Sequence, residues 1–118
     1  MNICFSADSG EDIVSFYRGS TPTLIFTIEE EDFSLDDVET CHVTIETDCQ
    51  KKQKIFENPE IDTENKTVSQ TLSQEDTLYW DPGNLSVQLK MKLKDGVTAV
   101  LSDIFVLQVK RSLEDSVL

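Results

Sequence analysis

The chain has 118 residues, of which 38% are hydrophobic and 28% are charged, and its formal net charge is −13. This length suits one domain with its own core, and the composition is too apolar for a disordered chain. No apolar run reaches the length of a membrane span, and the N-terminus lacks the pattern of a signal peptide. We therefore expect a protein that neither enters a membrane nor is secreted by a signal peptide.

The negative charge is concentrated in the first half of the chain. Residues 1–48 contain twelve acidic side chains and one basic one, Arg18, whereas residues 49–118 contain eleven acidic and nine basic ones. Phosphate binding depends on clustered lysine and arginine, so free nucleic acid is not an expected partner. Two roles for the acidic half stay open. It can meet a basic protein, or it can imitate nucleic acid as a host-directed inhibitor.

Alternation of apolar and polar residues predicts strands through the first part of the chain. A turn at residues 19–22 opens a strand at Thr23–Ile28. Residues 41–46 alternate cleanly, and Gln53–Phe56 is the predicted hairpin partner of that strand. Residues 67–72 alternate again and place two apolar side chains on one face.

The second part of the chain begins with a helix signal. Ser73 and Asp76 have the spacing of a capping box, and Asp81, Pro82 and Gly83 stop the helix after one or two turns. Residues 85–93 then alternate five times, the clearest strand pattern in the chain. Asp95 and Gly96 predict a tight hairpin in which both residues have positive φ. The return strand is expected at residues 99–109.

About seven short strands with one helical crossover near residues 73–80 predict an all-β, immunoglobulin-like β-sandwich. One domain spans residues 1–118, with residues 1–12 and 112–118 as candidate flexible tails. In this arrangement the short helix carries the chain from one sheet to the other.

Several short motifs occur in a recognisable order: residues 18–24 (RGSTPTL), 72–78 (LSQEDTL), 87–89 (VQL) and 94–96 (KDG), followed by Ser102. This pattern resembles small tailed-phage and prophage proteins of Gram-positive bacteria, which are similar to the N-terminal immunoglobulin-like domain of the baseplate upper protein family. The resemblance runs from about Phe16 to Leu113. The acidic block at residues 29–32 and the region 48–54 depart from the family pattern.

The resemblance implies a phage structural or assembly protein of the baseplate, tail or head–tail region. Its expected partners are other phage structural proteins or further copies of itself. Its expected location is the virion, or the host cytoplasm during assembly. The acidic inhibitor and a carbohydrate-binding sandwich of a tail tip stay open as alternatives.

Motifs of catalysis are missing from the sequence. It has no GxSxG, no glycine-rich phosphate loop, no CxxC and no HExxH, so we expect a non-enzyme with no cofactor and no metal. A calcium site at Asp32, Asp36 and Asp37 is the alternative for the acidic loop. Trp80 is expected to pack in the core or crossover, with a sugar-stacking platform as the alternative.

The three cysteines, Cys4, Cys41 and Cys49, are expected to be buried thiols. If residues 41–49 form one extended strand, Cys41 and Cys49 lie about 26 Å apart, too far for a disulfide.

Lys90, Lys92 and Lys94 alternate along the predicted strand 85–93 and give its outward face a basic stripe. Such a stripe serves solubility and discourages edge pairing. Alternatively, it contacts the acidic surface of a neighbouring copy or of another virion protein.

The return strand is apolar on both faces, with Val100, Ile104 and Val106 on one of them. Residues 13–16 of the same chain can cover that face, or another copy can. Leu113 and the rest of the tail at residues 112–118 have the spacing of one helical face and extend the second possibility. We therefore take Lys90, Lys92, Lys94, Val100, Ile104, Val106 and Leu113 as candidate protein-contact residues.

Overall fold

The structure, a computed structural model, describes residues 2–7, 14–47, 52–114 and 116–118. Within these residues the chain forms ten strands, a 3-10 turn at Leu35–Asp37 and one short helix. The strands are β1 (Ile3–Ala7), β2 (Ser15–Tyr17), β3 (Thr23–Ile28), β4 (Val38–Thr47), β5 (Gln53–Phe56), β6 (Glu60–Asp62), β7 (Thr67–Thr71), β8 (Gly83–Leu93), β9 (Ala99–Leu101) and β10 (Phe105–Lys110), and the helix is α1 (Gln74–Leu78).

The strands form two sheets that face each other. The smaller sheet has the order β1-β3-β7-β6, and the larger has the order β2-β10-β8-β4-β5, with β9 also paired to β8. All pairs are antiparallel except β2 with β10, which is parallel. The predicted immunoglobulin-like β-sandwich is confirmed.

The core lies between the inner faces of the two sheets. Each long strand buries every second side chain, which is the result of the alternation in the sequence. Phe5, Phe26 and Phe105 form an aromatic cluster that joins the sheets, with ring centroids 5.0 to 6.1 Å apart. The fully buried large side chains, those under 2% exposed, are Trp80, Phe26, Leu24, Ile45, Leu72, Leu85, Leu89, Met91, Leu107, Val43, Val68 and Val87.

The helix α1 connects β7 in the smaller sheet to β8 in the larger one, as the sequence predicts. The Ser73 Oγ accepts from the Asp76 backbone N–H at 3.1 Å, and the Asp76 carboxylate accepts from the Ser73 N–H at 2.9 Å. This is the predicted capping box.

Arg18, which follows β2, binds the C-terminal end of α1. Its guanidinium donates to the carbonyl oxygens of Leu78 and Trp80, both at 2.9 Å. The Thr77 hydroxyl accepts from the Gly19 N–H at 3.0 Å and donates to the Ser20 carbonyl at 2.8 Å. Two of the motifs behind the family resemblance, at residues 18–24 and 72–78, therefore meet in one hydrogen-bonded unit.

Four expectations need correction. Residues 3–7 are not a flexible tail: they form β1, which pairs with β3 along its whole length. Asp95 does not have positive φ, because among the described residues only Lys66 does so apart from glycines. Its carboxylate instead accepts from the N–H groups of Val97 and Thr98. The return strand is interrupted, as described below. Cys4 is exposed rather than buried.

Of the other two cysteines, the structure describes only Cys41. Cys41 is free and buried, as expected, and burial raises the pKa of its thiol to about 12. Cys49 lies outside the described residues.

Candidate functional site

The outward face of the larger sheet is built by the side chains that alternate with the core residues. On β8 and β4 the outward pairs are Ser86 with Glu46, Gln88 with Thr44, Lys90 with His42 and Lys92 with Thr40. On one flank, Val106 lies opposite Ser86 and Leu101 opposite Lys90. On the other flank, Ile55 lies opposite Thr44. The strand register therefore arranges the face in parallel rows.

The return strand reaches this face through a β-bulge at residues 102–104. Leu101 pairs with Lys90 and Phe105 with Val87, so three residues of the return strand lie opposite two of β8. Ser102 replaces the missing ladder contacts. Its hydroxyl accepts from the Leu89 N–H at 2.9 Å, and its own N–H donates to the Leu89 carbonyl at 2.9 Å.

The bulge changes which apolar side chains face outward. Val100 is opposite Met91, points inward and is half-buried against the core, so its expected place beside Ile104 and Val106 is wrong. Leu101 takes that place and is 51% exposed. Ile104 and Val106 are 65% and 60% exposed, as the candidate contact role requires.

The central row of the face is a shallow depression. Its volume is about 120 Å³, and Ile104 forms part of its wall, while half-buried Thr44, Ser86 and Gln88 also line it. Ile55 is 51% exposed at the other end of the same row. The face thus has a small polar centre between two exposed apolar flanks.

Charge is distributed unevenly along the strands of this face. Lys90 and Lys92 are exposed and line a second depression of about 200 Å³ with His42 and Thr40. Glu46 lies on the opposite side of the central row. Lys94 follows the end of β8 in the hairpin turn, where its N–H donates to the Asp37 carbonyl, so it lies beyond the paired rows.

The N-terminal segment does not cover this face. Val14 and Phe16 are buried in the core, and β2 lies beside β10 as an edge strand. The expectation that residues 13–16 fold over Ile104 and Val106 is therefore wrong for residues 14–16, and Ile13 lies outside the described residues.

The C-terminal segment is not helical at residues 112–114 or 116–118, so the helical face expected there is wrong. Leu113 is 97% exposed, and the Leu118 N–H donates to the Gln74 side chain at 2.8 Å. The tail thus returns to α1.

Six acidic residues of the first half lie in the β3–β4 connection at one end of the sandwich: Glu29, Glu30, Glu31, Asp32, Asp36 and Asp37. Lys66 donates to the carbonyl oxygens of Glu30 and Glu31, and Thr63 donates to the Asp36 carboxylate, so the β6–β7 turn meets the β3–β4 connection there. Among the described residues no three His, Cys, Asp or Glu side chains are grouped to hold a metal ion. The calcium site considered at Asp32 and its neighbours has no such grouping in the described loops.

Trp80 belongs to the crossover, not to a binding surface. It is fully buried, and its indole N–H donates to the Lys52 carbonyl at 3.1 Å. The alternative of a sugar-stacking platform at Trp80 is therefore wrong.

Sequence reasoning missed Leu101 and Ile55 as members of the outward face. Ile55 was identifiable from its hairpin register opposite Thr44. Leu101 was not, because only the bulge at Ser102 places it outward, and the apolar run 99–101 shows no sign of the irregularity.

Comparisons with known proteins bear on the fold. No family model matches the chain, and no curated protein matches it. Among solved structures, the chain is similar to the fibronectin(III)-like modules of Clostridium thermocellum CbhA, with 14% identity and a TM-score of 0.51. That match covers 92% of this chain and 96% of the other. No helix among the described residues has the length and apolar character of a membrane span. The chain therefore has the fold of an immunoglobulin-like, fibronectin III-like sandwich.

Proposed function

We propose that this protein is a non-enzymatic docking module of a phage or prophage virion, and that it binds other structural proteins through the outward face of its larger sheet. The observation that carries the proposal is the row of exposed apolar side chains on that face. Leu101, Ile104 and Val106 lie together on one flank and are each more than half exposed. Adjacent exposed apolar side chains of this kind mark protein contact sites.

The construction of the face supports the same role. A sheet backed by a full core holds its outward side chains at fixed spacing, which lowers the ordering cost of binding. Lys90 and Lys92 stand beside the apolar flank and make no ion pair within the described residues. On a protein of net charge −13 they offer a local attraction to acidic partners.

The phage assignment rests on the sequence motifs. Arg18, Gly19, Thr77 and the Ser73 cap form one hydrogen-bonded unit, and Ser102 holds the bulge that shapes the docking face. The resemblance therefore includes residues that fix the crossover and the bulge of this sandwich, in addition to the alternating residues of its strands.

The test uses the phage or prophage whose genome encodes the chain. Particles purified after induction are analysed by quantitative mass spectrometry for the wild-type chain and for Ile104→Glu. We expect the wild-type chain in the particles at a fixed ratio to the tail proteins and the variant depleted at least about tenfold. Val97→Glu is the matched control, because Val97 is 86% exposed in the β8–β9 turn outside the face.

Two results overturn the proposal. The first is that purified particles lack the chain and that particles still assemble normally after its gene is deleted. The other is undiminished incorporation of Ile104→Glu. Folding of both variants is checked by circular dichroism.

The acidic inhibitor is a second candidate, favoured by the gathering of acidic loops at one end of the sandwich. That role predicts binding to a basic, nucleic-acid-binding host protein that Glu31→Lys weakens and Ile104→Glu leaves unchanged. Glu31→Lys and Ile104→Glu together therefore separate the two functions.

A further inference from the structure

We infer that the partner on the outward face of the larger sheet is a second copy of this chain. The two copies are related by a two-fold axis that lies in the interface, perpendicular to the strands and along the central row. This inference rests on the docking function proposed above. It follows from the positions of apolar and charged side chains in the strand register.

The apolar side chains are placed symmetrically about the central row. Leu101 is opposite Lys90 and Val106 is opposite Ser86, so they lie on either side of Ile104 in the bulge. A two-fold axis across the strands places Leu101 of one copy against Val106 of the other. It also places Ile104 against Ile104 of the second copy. The apolar flank is therefore complementary to itself, as the interface of a two-fold dimer must be.

Two oppositely charged side chains of the face, Glu46 and Lys90, lie on opposite sides of the axis. Glu46 lies two residues from Thr44 along β4, and His42 lies two residues from Thr44 in the other direction. The axis brings Glu46 of one copy opposite His42 and beside Lys90 of the other. Unlike charges therefore meet twice in each dimer.

A two-fold axis parallel to the strands over β8 lacks this match. It would place Lys90 against Lys90 and Lys92 against Lys92. Like charges in direct opposition disfavour that pairing. The charge pattern thus selects one orientation, with the strands of the two copies roughly antiparallel, inclined by about 30° because both sheets twist.

The face has the size of a weak dimer interface. Three strand widths of about 4.8 Å (β4, β8 and the return strand) over about 27 Å between the Asn84 and Lys92 rows, with the four residues of β5 added, give a footprint of about 450 Å² per copy. Standard protein interfaces bury about 800 Å² per partner, and weak, transient ones bury less than about 600 Å². The footprint counts a flat projection, so side chains add to it.

The first experiment is sedimentation equilibrium of the full chain from about 1 to 200 µM at about 0.15 M salt, which screens the repulsion between two acidic proteins. We expect a monomer–dimer equilibrium. Ile104→Glu opposes two carboxylates on the axis and should raise the dimer Kd at least about a hundredfold. Val97→Glu, which adds the same charge outside the face, should leave the Kd unchanged.

The second experiment is a charge exchange. Lys90→Glu and Glu46→Lys should each raise the Kd about tenfold or more, because each creates two like-charge contacts per dimer. The double variant should restore it. Within one chain the Lys90 and Glu46 rows are about 13 Å apart, so rescue reports a contact between copies rather than a contact inside one copy.

Three results overturn the inference. The first is a chain that sediments as a monomer over the whole concentration range, and the second is an Ile104→Glu variant that dimerises with the wild-type Kd. The third is a Lys90→Glu/Glu46→Lys double variant whose dimer Kd is no lower than that of the single variant that dimerises more weakly. None of them removes the docking function by itself. If the chain is monomeric and Ile104→Glu still blocks incorporation into particles, the face binds a different protein.

Discussion

Ser102 is the residue on which the shape of the outward face of the larger sheet depends. At the bulge, Ser102 supplies its hydroxyl, in place of a backbone carbonyl of the return strand, to accept from the Leu89 N–H. Its carbonyl also accepts from the Gln88 side chain at 2.8 Å, so the bulge is connected to the central row of the face.

Ser102→Ala should destabilise the fold by about 1 to 3 kcal/mol, because it leaves the buried Leu89 N–H without an acceptor. Chemical denaturation measures this change. Ser6→Ala, on an exposed position of β1, is the control and should be close to neutral. A Ser102→Ala protein as stable as the wild type would show that water or a local shift satisfies the amide.

The two described cysteines should differ in reactivity. Cys41 is 4% exposed and its thiol pKa is raised to about 12 by burial, so it should resist alkylation in the folded protein. Cys4 is exposed, and a hydrogen bond with Glu29 raises the pKa of its thiol. Peptide-resolved mass spectrometry after iodoacetamide treatment near pH 8 should therefore find Cys4 modified and Cys41 intact. Glu29→Gln should speed the reaction of Cys4, and modification of Cys41 at the rate of the unfolded chain would contradict the burial described.

At the level of elements, α1 is short but strongly fixed. Five residues of helix have little stability alone, so its position depends on the Ser73 cap, the Arg18 contacts and the buried Trp80. Lys54 adds an ion pair to Asp76 at 3.0 Å and lies 4.8 Å from the centre of the Tyr79 ring. The crossover is thus held from both ends.

The Asp76 carboxyl should make stability depend on pH. Burial raises its pKa, but hydrogen bonds from the Ser73 N–H and from Lys54 outweigh this, and the net pKa is lowered. These contacts therefore stabilise the fold fully above the unfolded pKa of about 3.9, and the contribution is lost as pH falls through the lower folded value. Asp76→Asn should cost about 1 kcal/mol near pH 7 and reduce the loss of stability between about pH 5 and 2.5. Denaturation at several pH values measures both effects. Glu75→Gln is the neighbouring control, and an Asp76→Asn profile parallel to the wild type would contradict this role.

Much of the sandwich was predictable from local patterns. Five alternations fixed β8, and Ser73 with Asp76 fixed the start of α1, because both signals depend on residues close in sequence. β1 and β6 were missed since each is short and is stabilised by pairing with a distant strand. The candidate face was only partly predictable. Ile104 and Val106 were found, whereas Val100 and Leu101 exchanged roles through a bulge that no periodicity reveals.

The whole molecule has an unequal distribution of charge. The loops after β3 and between β6 and β7 contribute acidic side chains to one end, and few bases balance them there. Repulsion among these groups works against the compact state and is screened by salt.

Stability should therefore rise with ionic strength. Between about 0.02 and 0.5 M NaCl we expect the thermal midpoint to increase by about 4 °C, corresponding to about 1 kcal/mol for a domain of this size. The double variant Glu31→Gln/Asp32→Asn should start from a higher midpoint and respond less to salt. Glu75→Gln/Glu114→Gln, which removes two charges from the other end, is the control. A salt response equal in the two double variants would contradict a repulsion centred on the acidic loops.

The parallel pairing of β2 with β10 has a mechanical consequence. The Gln108 N–H donates to the Val14 carbonyl and the Arg18 N–H donates to the Lys110 carbonyl, both at 3.0 Å, so bonds near the two limits of the pair connect strands that run in the same direction. A force that pulls β2 toward its beginning and β10 toward its end slides the strands past each other. Both of these bonds then carry the load together instead of opening one after the other. In an assembly that transmits tension along the long axis of the sandwich, this pair would act as a shear clamp.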